Sequence, residues 1–245
     1  MGGNMSDINS NSQASSISPQ QLNAVQRVFG VFFSPRKTFE DIDRKPDWVV
    51  PMVIVVVIAV LFTVIIMPIA LPQQMEKQQA KMEERGMSQE EIDRAVEMGE
   101  KIGKIVGPIG AAIGSVVFLF AVAGIFMFVG NTILGGKTTF KKLLSVVCYS
   151  SLIGSLNSII LLPIILSKKT MEVHFSLAAF MSADASETFL YQLLKKIDLF
   201  ACWQIVVAGI GVAAVYKFTT KKSITMVASL YIIYMIISLV WTSIF

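Results

Sequence analysis

Gly136-Lys137-Thr138 is the string in this 245-residue chain that most resembles a phosphate-binding loop. Such a loop also needs a glycine six positions before its lysine, with a strand ahead of it and a helix behind it in a soluble α/β unit. Asn131 occupies the glycine's position and both flanks are long apolar runs, so nucleotide binding is excluded. A metal centre takes three or four ligands. The single histidine, His174, has only Glu172 beside it, so no metal site is expected and His174 reads as a surface residue. Cys148 and Cys202 both lie inside apolar runs and read as free thiols acting as small apolar side chains, without a disulfide framework. An intramembrane protease or proton-coupled pump would need ionisable groups inside those runs, and only Asp198 stands at the edge of one. The sequence therefore offers no catalytic residue and no cofactor site.

The elements that carry these residues are unusual for a soluble protein. Hydrophobic residues make up 54% of the chain and charged residues 16%, against about 25% charge in typical globular domains. Five apolar runs can each cross a bilayer, which takes roughly 20 residues per helix. They are read at about 48–71, 105–134, 143–166, 197–216 and 224–245. The expected architecture is all-α, a polytopic membrane protein built as a five-helix transmembrane bundle. The net charge of +4 sits beside the apolar runs, where it sets orientation and meets lipid headgroups, so no nucleic-acid partner is expected.

Gly135-Gly136-Lys137-Thr138-Thr139-Phe140-Lys141-Lys142-Leu143-Leu144 joins the second and third runs as a short basic hinge. Lys217, Lys221 and Lys222 form a second one. Eleven Lys and Arg fall on the hinge side of the bundle and ten on the other, so number does not decide the topology. Density does, because charge in short flanks sets orientation. The expected topology has a cytoplasmic N-terminus and an external C-terminus.

Residues 1–21 are rich in Ser, Asn and Gln and are expected to be a disordered tail without a cleaved signal. Met1-Gly2-Gly3-Asn4-Met5-Ser6 fits the loose myristoylation pattern, a match too short to carry lipidation. Leu22, Val25, Phe29 and Phe32 recur at helical spacing, predicting an amphipathic helix in the headgroup plane. Ser34-Pro35 opens a second short helix in which Phe39 and Ile42 share a face, and Pro46 ends it. Pro72 is expected to close the first span. Residues 73–104 then form an external helical loop with eight acids and six bases, a net of −2. Gly86 ends one piece of it, and Ser88 with Glu91 supplies a capping box for the next, which runs into the second span with a kink near Pro108. Gly103, Gly107 and Ala111, with Gly110 and Gly114, carry the four-residue spacing that lets helix backbones approach within the bundle. Ser151, Ser155, Asn157 and Ser158 are expected to bond across helices. Ser186 to Leu190 begin a helix that continues into the fourth span.

Together with Ser34-Pro35-Arg36-Lys37-Thr38-Phe39-Glu40, the hinge string resembles the YIP-domain family of Ypt/Rab-interacting membrane proteins, and their short prokaryotic members in particular. The similarity covers roughly Val28 to Phe245. It implies the same topology, in the cytoplasmic membrane if the chain is prokaryotic. Eukaryotic members bind prenylated Rab GTPases in vesicle traffic, but this chain lacks their long cytosolic N-terminal region, so the GTPase partnership is implied by the resemblance alone. The first functional reading is a non-enzymatic interaction or scaffold protein. Its partners are the lipid bilayer and a membrane or cytoplasmic protein that meets Phe32, Phe33, Ser34, Pro35, Phe39, Gly135, Gly136, Thr138, Phe140 and Lys141 on one side of the membrane. The alternative is a small permease or lipid-handling protein, with Asn131, Asn157 and Gln204 along a polar path kinked at Pro108 and Pro163.

Overall fold

The computed structural model describes residues 21–173, 175–181 and 188–244, with side chains through residue 240. Residues 1–20 of the expected tail, with the myristoylation pattern, His174, Ser186 and Glu187, lie outside the described residues. Among the described residues the chain is helical without a strand: α1 (Ala24–Phe33), α2 (Pro35–Arg44), α3 (Val49–Glu84), α4 (Gln89–Met127), α5 (Phe140–Lys168), α6 (Phe189–Lys195), α7 (Leu199–Tyr216) and α8 (Thr220–Ile244). Five of these, α3, α4, α5, α7 and α8, are long and apolar enough to cross a membrane.

The first span differs from the sequence expectation. Proline breaks a helix when the carbonyl it strands has no partner and its ring clashes with the preceding turn. Here α3 runs through both Pro68 and Pro72 to Glu84, 36 residues without interruption. That is about 54 Å at 1.5 Å per residue, against a hydrocarbon core of about 30 Å, so nearly half of α3 projects beyond the lipid. α4 continues through Pro108 in the same way and ends in a wider π-helical turn, Phe128–Ile133. Between them Gly86 takes φ +77°, a left-handed conformation that favours glycine. The Ser88–Glu91 capping box forms as read from the sequence. The pairs Glu97–Lys101 and Glu100–Lys104 line the projecting helix.

Glycines zip this hairpin. A Cβ on Gly103 would lie 2.8 Å from Leu71 Cδ1, and one on Gly107 2.9 Å from Met67 Cε. Gly110 and Gly114 differ, since a Cβ there would meet nothing within 4 Å. Close approach therefore ends about one turn after Gly107, and a space opens between α3 and α4.

On the far side of the bundle from the hinges, α6 does not run into α7. Asp198 accepts hydrogen bonds from the Phe200 and Ala201 amides, capping α7, while its backbone bridges Ser176. These contacts turn the chain at Lys196–Asp198 and overturn the continuous helix expected there.

The N-terminal pair forms the two short helices expected, α2 with Phe39 and Ile42 on its buried face. Asn23 and Gln26 form a capping box at the start of α1. The outward stripe of α1 is Val25, Phe29 and Phe33, the last 83% exposed. Its other face packs on protein. In α2, Thr38, Phe39, Asp41 and Ile42 are buried while Arg36, Lys37, Glu40 and Arg44 face outward. Phe39 is fully buried against α5 and α7, where a Cβ on Gly211 would meet both Val146 and Phe39. Phe32 stacks edge-on to Trp203 of α7, ring centroids 5.9 Å apart. So α1 and α2 each lay one face on the bundle's core, while α1 keeps an outward apolar stripe, the amphipathic helix expected from the sequence. Ser34 also makes no side-chain cap; its carbonyl instead accepts from the Thr38 amide and hydroxyl.

Candidate functional site: the basic hinge face and a cavity in mid-membrane

A buried ion pair fixes the N-terminal helices to each other. Arg27 donates from Nε to Asp41 Oδ2 at 2.8 Å and from Nη1 to the Lys45 carbonyl at 3.0 Å, and the two charged side chains are only 4% and 9% exposed. Burying charges costs several kcal/mol each unless the partner geometry is good, and this pair supplies it. Gly30 lets the helices close together, because a Cβ there would collide with the Thr38 hydroxyl.

Asp43, one turn on from α2's buried face, fixes the pair to the rest of the molecule. Its Oδ1 accepts from Lys142 at the start of α5 and its Oδ2 from Lys217 at the end of α7, both at 2.6 Å. Burial alone would raise its pKa. The two lysine hydrogen bonds and charges outweigh that and hold its carboxyl below the ordinary value of 3.8. One carboxylate thus ties together the N-terminal segment and both basic hinges.

The hinge between α4 and α5 is pinned by Tyr216, the last residue of α7. Its hydroxyl donates to Asn131 Oδ1 at 2.7 Å and approaches the Phe126 carbonyl at 3.4 Å. The ring covers Gly130 and Gly136 so closely that a Cβ on either would collide with it. Phe218 stacks on the ring at 5.0 Å, and the Gly136 amide donates to the Gly130 carbonyl at 2.9 Å. Asn131 is consequently a hinge residue and lines no path. Gly135, at φ +68°, makes the reversal.

Residues 29–242 match the family model of the Yip1 domain. The chain belongs to the Yip1-domain family. Comparison with the curated proteins and with the solved structures returned no match. In this Yip1-domain chain both strings that carried the resemblance are structural joints: Ser34–Glu40 holds the start of α2, and Gly135–Leu144 is the turn clamped by Tyr216 and Asp43.

The residues expected to form one partner-binding face are only partly brought together. Gly135 and Lys141 are exposed at the hinge. Gly136 lies under Tyr216, and Phe140 packs on Phe120 at 5.8 Å. Thr138 gives its carbonyl to Asn131. Phe39 is enclosed in the core and Phe32 lies against Trp203, far from the hinge end of α7; Phe33, Ser34 and Pro35 go with Phe32. Trp203 precedes Tyr216 by thirteen residues, about 20 Å along the helix axis. The exposed hinge cations are therefore Lys137, Lys141, Lys221 and Lys222, with Lys217 held by Asp43.

The second feature is an open cleft of about 480 Å³ where α3 and α4 part, backed by α5 and by Gln204 of α7. Gly110, Ala111 and Gly114 line it, with Ser115, Ser151, Ser155, Ser158 and Gln204. The serines do not bond across helices as expected. Ser155 donates to the Ser151 carbonyl, Ser158 to that of Gly154 and Ser115 to that of Ala111, each one turn back. Their oxygen lone pairs and the Gln204 amide are left to face the cavity. Its lining carries no charge and is mostly apolar, with Val55, Ile58, Phe118 and Leu119 beside these few polar groups, so it suits an amphipathic or apolar occupant and not an ion. Asn157 does not line it.

Proposed function

We propose that this Yip1-domain protein is a non-enzymatic scaffold of the membrane, which presents its hinge face as a rigid basic platform to a protein partner in membrane organisation or trafficking-like processes. The observation that supports this is the Asp43 clamp, which makes one body of the N-terminal helices and both hinges. Tyr216 adds rigidity by pinning the α4–α5 turn. In this reading the platform is cytoplasmic, because lysines concentrated in short turns stay inside. The exposed side chains Lys137 and Lys141 make the contact. A crosslinking pull-down from native membranes, comparing wild type with Lys137→Glu/Lys141→Glu, tests it. The variant loses a partner the wild type captures, and an unchanged partner list sinks the platform. Phe140→Ala is unsuitable for the purpose, since it would unpack Phe140 from Phe120.

A second reading, lipid handling, is favoured by the uncharged, mainly apolar cleft at Gln204. Cysteine placed at position 114 in a Cys202→Ser background reports on it. Modification by a water-soluble thiol reagent supports a path through the bundle, and complete protection retires it.

A further inference from the structure

A second groove lies between the π-helical turn that ends α4 and the first half of α8. It encloses about 600 Å³. Its floor is apolar, made by Val129, Ile133, Met226, Leu230 and Ile233, and its mouth carries Lys221 and Lys222. We propose that this groove binds one anionic glycerophospholipid, its phosphate held by Lys221 and Lys222 and one acyl chain laid along the floor.

The cations are set for an anion. Lys222 Nζ is held 3.4 Å from the Leu134 carbonyl and 4.0 Å from the centroid of the Phe218 ring, which fixes its direction while leaving ammonium donors over. Lys221 makes no ion pair among the described residues. Asp43, the carboxylate that serves the hinges, is taken by Lys142 and Lys217. Positive charge at the mouth is thus uncompensated by protein.

The floor sets the rest of the occupant. Lys222 and Ile233 stand eleven residues apart on α8, about 16 Å along its axis. Half of a hydrocarbon core of about 30 Å is the depth of one leaflet, so the groove runs from the headgroup level to the mid-plane. Ile133 and Ile233 are more than half exposed, which leaves the groove open on the side that faces lipid. An occupant anionic at one end and hydrocarbon for a leaflet's depth is an acidic phospholipid. The chemistry does not suit a soluble phosphate, which would leave the floor uncovered.

Native mass spectrometry of the full chain in detergent, with phosphatidylglycerol or phosphatidylcholine of the same acyl chains added, tests the assignment. Wild type retains phosphatidylglycerol in preference to phosphatidylcholine. Lys221→Gln/Lys222→Gln lowers that preference by about thirtyfold, at about fivefold per lysine near an anionic surface. Ser229→Trp, which fills the groove without touching its charge, abolishes retention of both lipids; Ser229 is exposed, so the fold survives it. Lys137→Gln/Lys141→Gln, equal in charge change but outside the groove, leaves the preference unchanged. The proposal is overturned by equal retention of the two lipids in the wild type. It is equally overturned if the Lys137/Lys141 variant loses as much as the Lys221/Lys222 variant, which would mean diffuse attraction, or if Ser229→Trp binds like wild type.

Discussion

Asp43 and Lys217 are 174 positions apart in the chain and 2.6 Å apart in the fold. The same carboxylate also receives Lys142, so its removal releases three segments together. Asp43→Asn is expected to destabilise the protein by about 1 kcal/mol; Lys217 is largely exposed, which keeps the figure low. The pH dependence has a definite sign. Asp43's folded pKa lies below the ordinary 3.8, so its contribution is whole above that value and is lost as pH falls through the lower folded value. Thermal unfolding in detergent should show a constant gap between wild type and variant through neutral and mildly acidic pH. A gap that narrows in the neutral range contradicts the clamp.

The Arg27–Asp41 pair, deeper in the same junction, predicts a larger effect. Arg27→Ala leaves Asp41 with no opposite charge in a site almost closed to water, a loss of about 3–5 kcal/mol. Replacing both partners with apolar residues, Arg27→Met/Asp41→Leu, removes the charges and should recover most of that loss. Unfolding midpoints for the two variants check the order. If the double variant is as unstable as the single, the pair specifies the docking in a way that burial energy does not capture.

The five spans were legible because a helix in lipid must satisfy its own backbone and remain apolar for its whole crossing length, a demand written into runs such as Ile105–Leu134. The α3–α4 turn was legible too, since Gly86 and the Ser88–Glu91 box act within a few residues. Docking of α1 and α2 was not, because amphipathic periodicity shows that a helix has an apolar face without saying whether lipid or protein covers it. The informative signal was polar. Arg27 and Asp41 stand on the packed faces of two short helices, and a charge at such a position calls for a partner of opposite sign. Pro72 misled for a related reason: a proline marks a stop only where no neighbouring structure supports the helix, and α4 packs on α3 alongside Leu71 and Met75. Nothing local announces that Tyr216 reaches Asn131, 85 residues away.

The Tyr216 contact makes the hinge sensitive to one methyl group. A Cβ on Gly136 would collide with the Tyr216 ring and lie 2.6 Å from Phe218 Cζ, and these stacked rings have little room to yield. Gly136→Ala is expected to cost about 1–3 kcal/mol as overpacking. Tyr216→Phe keeps the ring and removes only the hydrogen bond to Asn131, for about 1 kcal/mol. Protease susceptibility of the hinge, measured beside the unfolding midpoint, should rise more for Gly136→Ala than for Tyr216→Phe. The reverse order would mean that the hydrogen bond, and not the ring, pins the turn.

One substitution at two glycines of α4 should act in opposite directions. At Gly103 an added methyl meets Leu71 at 2.8 Å, so Gly103→Ala pushes α3 and α4 apart and costs about 1–3 kcal/mol. At Gly114 nothing lies within 4 Å, because the helices have parted around the cavity. Gly114→Ala therefore meets no resistance and gains the helix preference of alanine over glycine, about 0.5–1 kcal/mol. Unfolding midpoints in detergent should fall for the first and rise for the second. Should Gly114→Ala also destabilise, the cavity must close in the membrane, and the four-residue glycine spacing would then serve helix packing along the whole of its length.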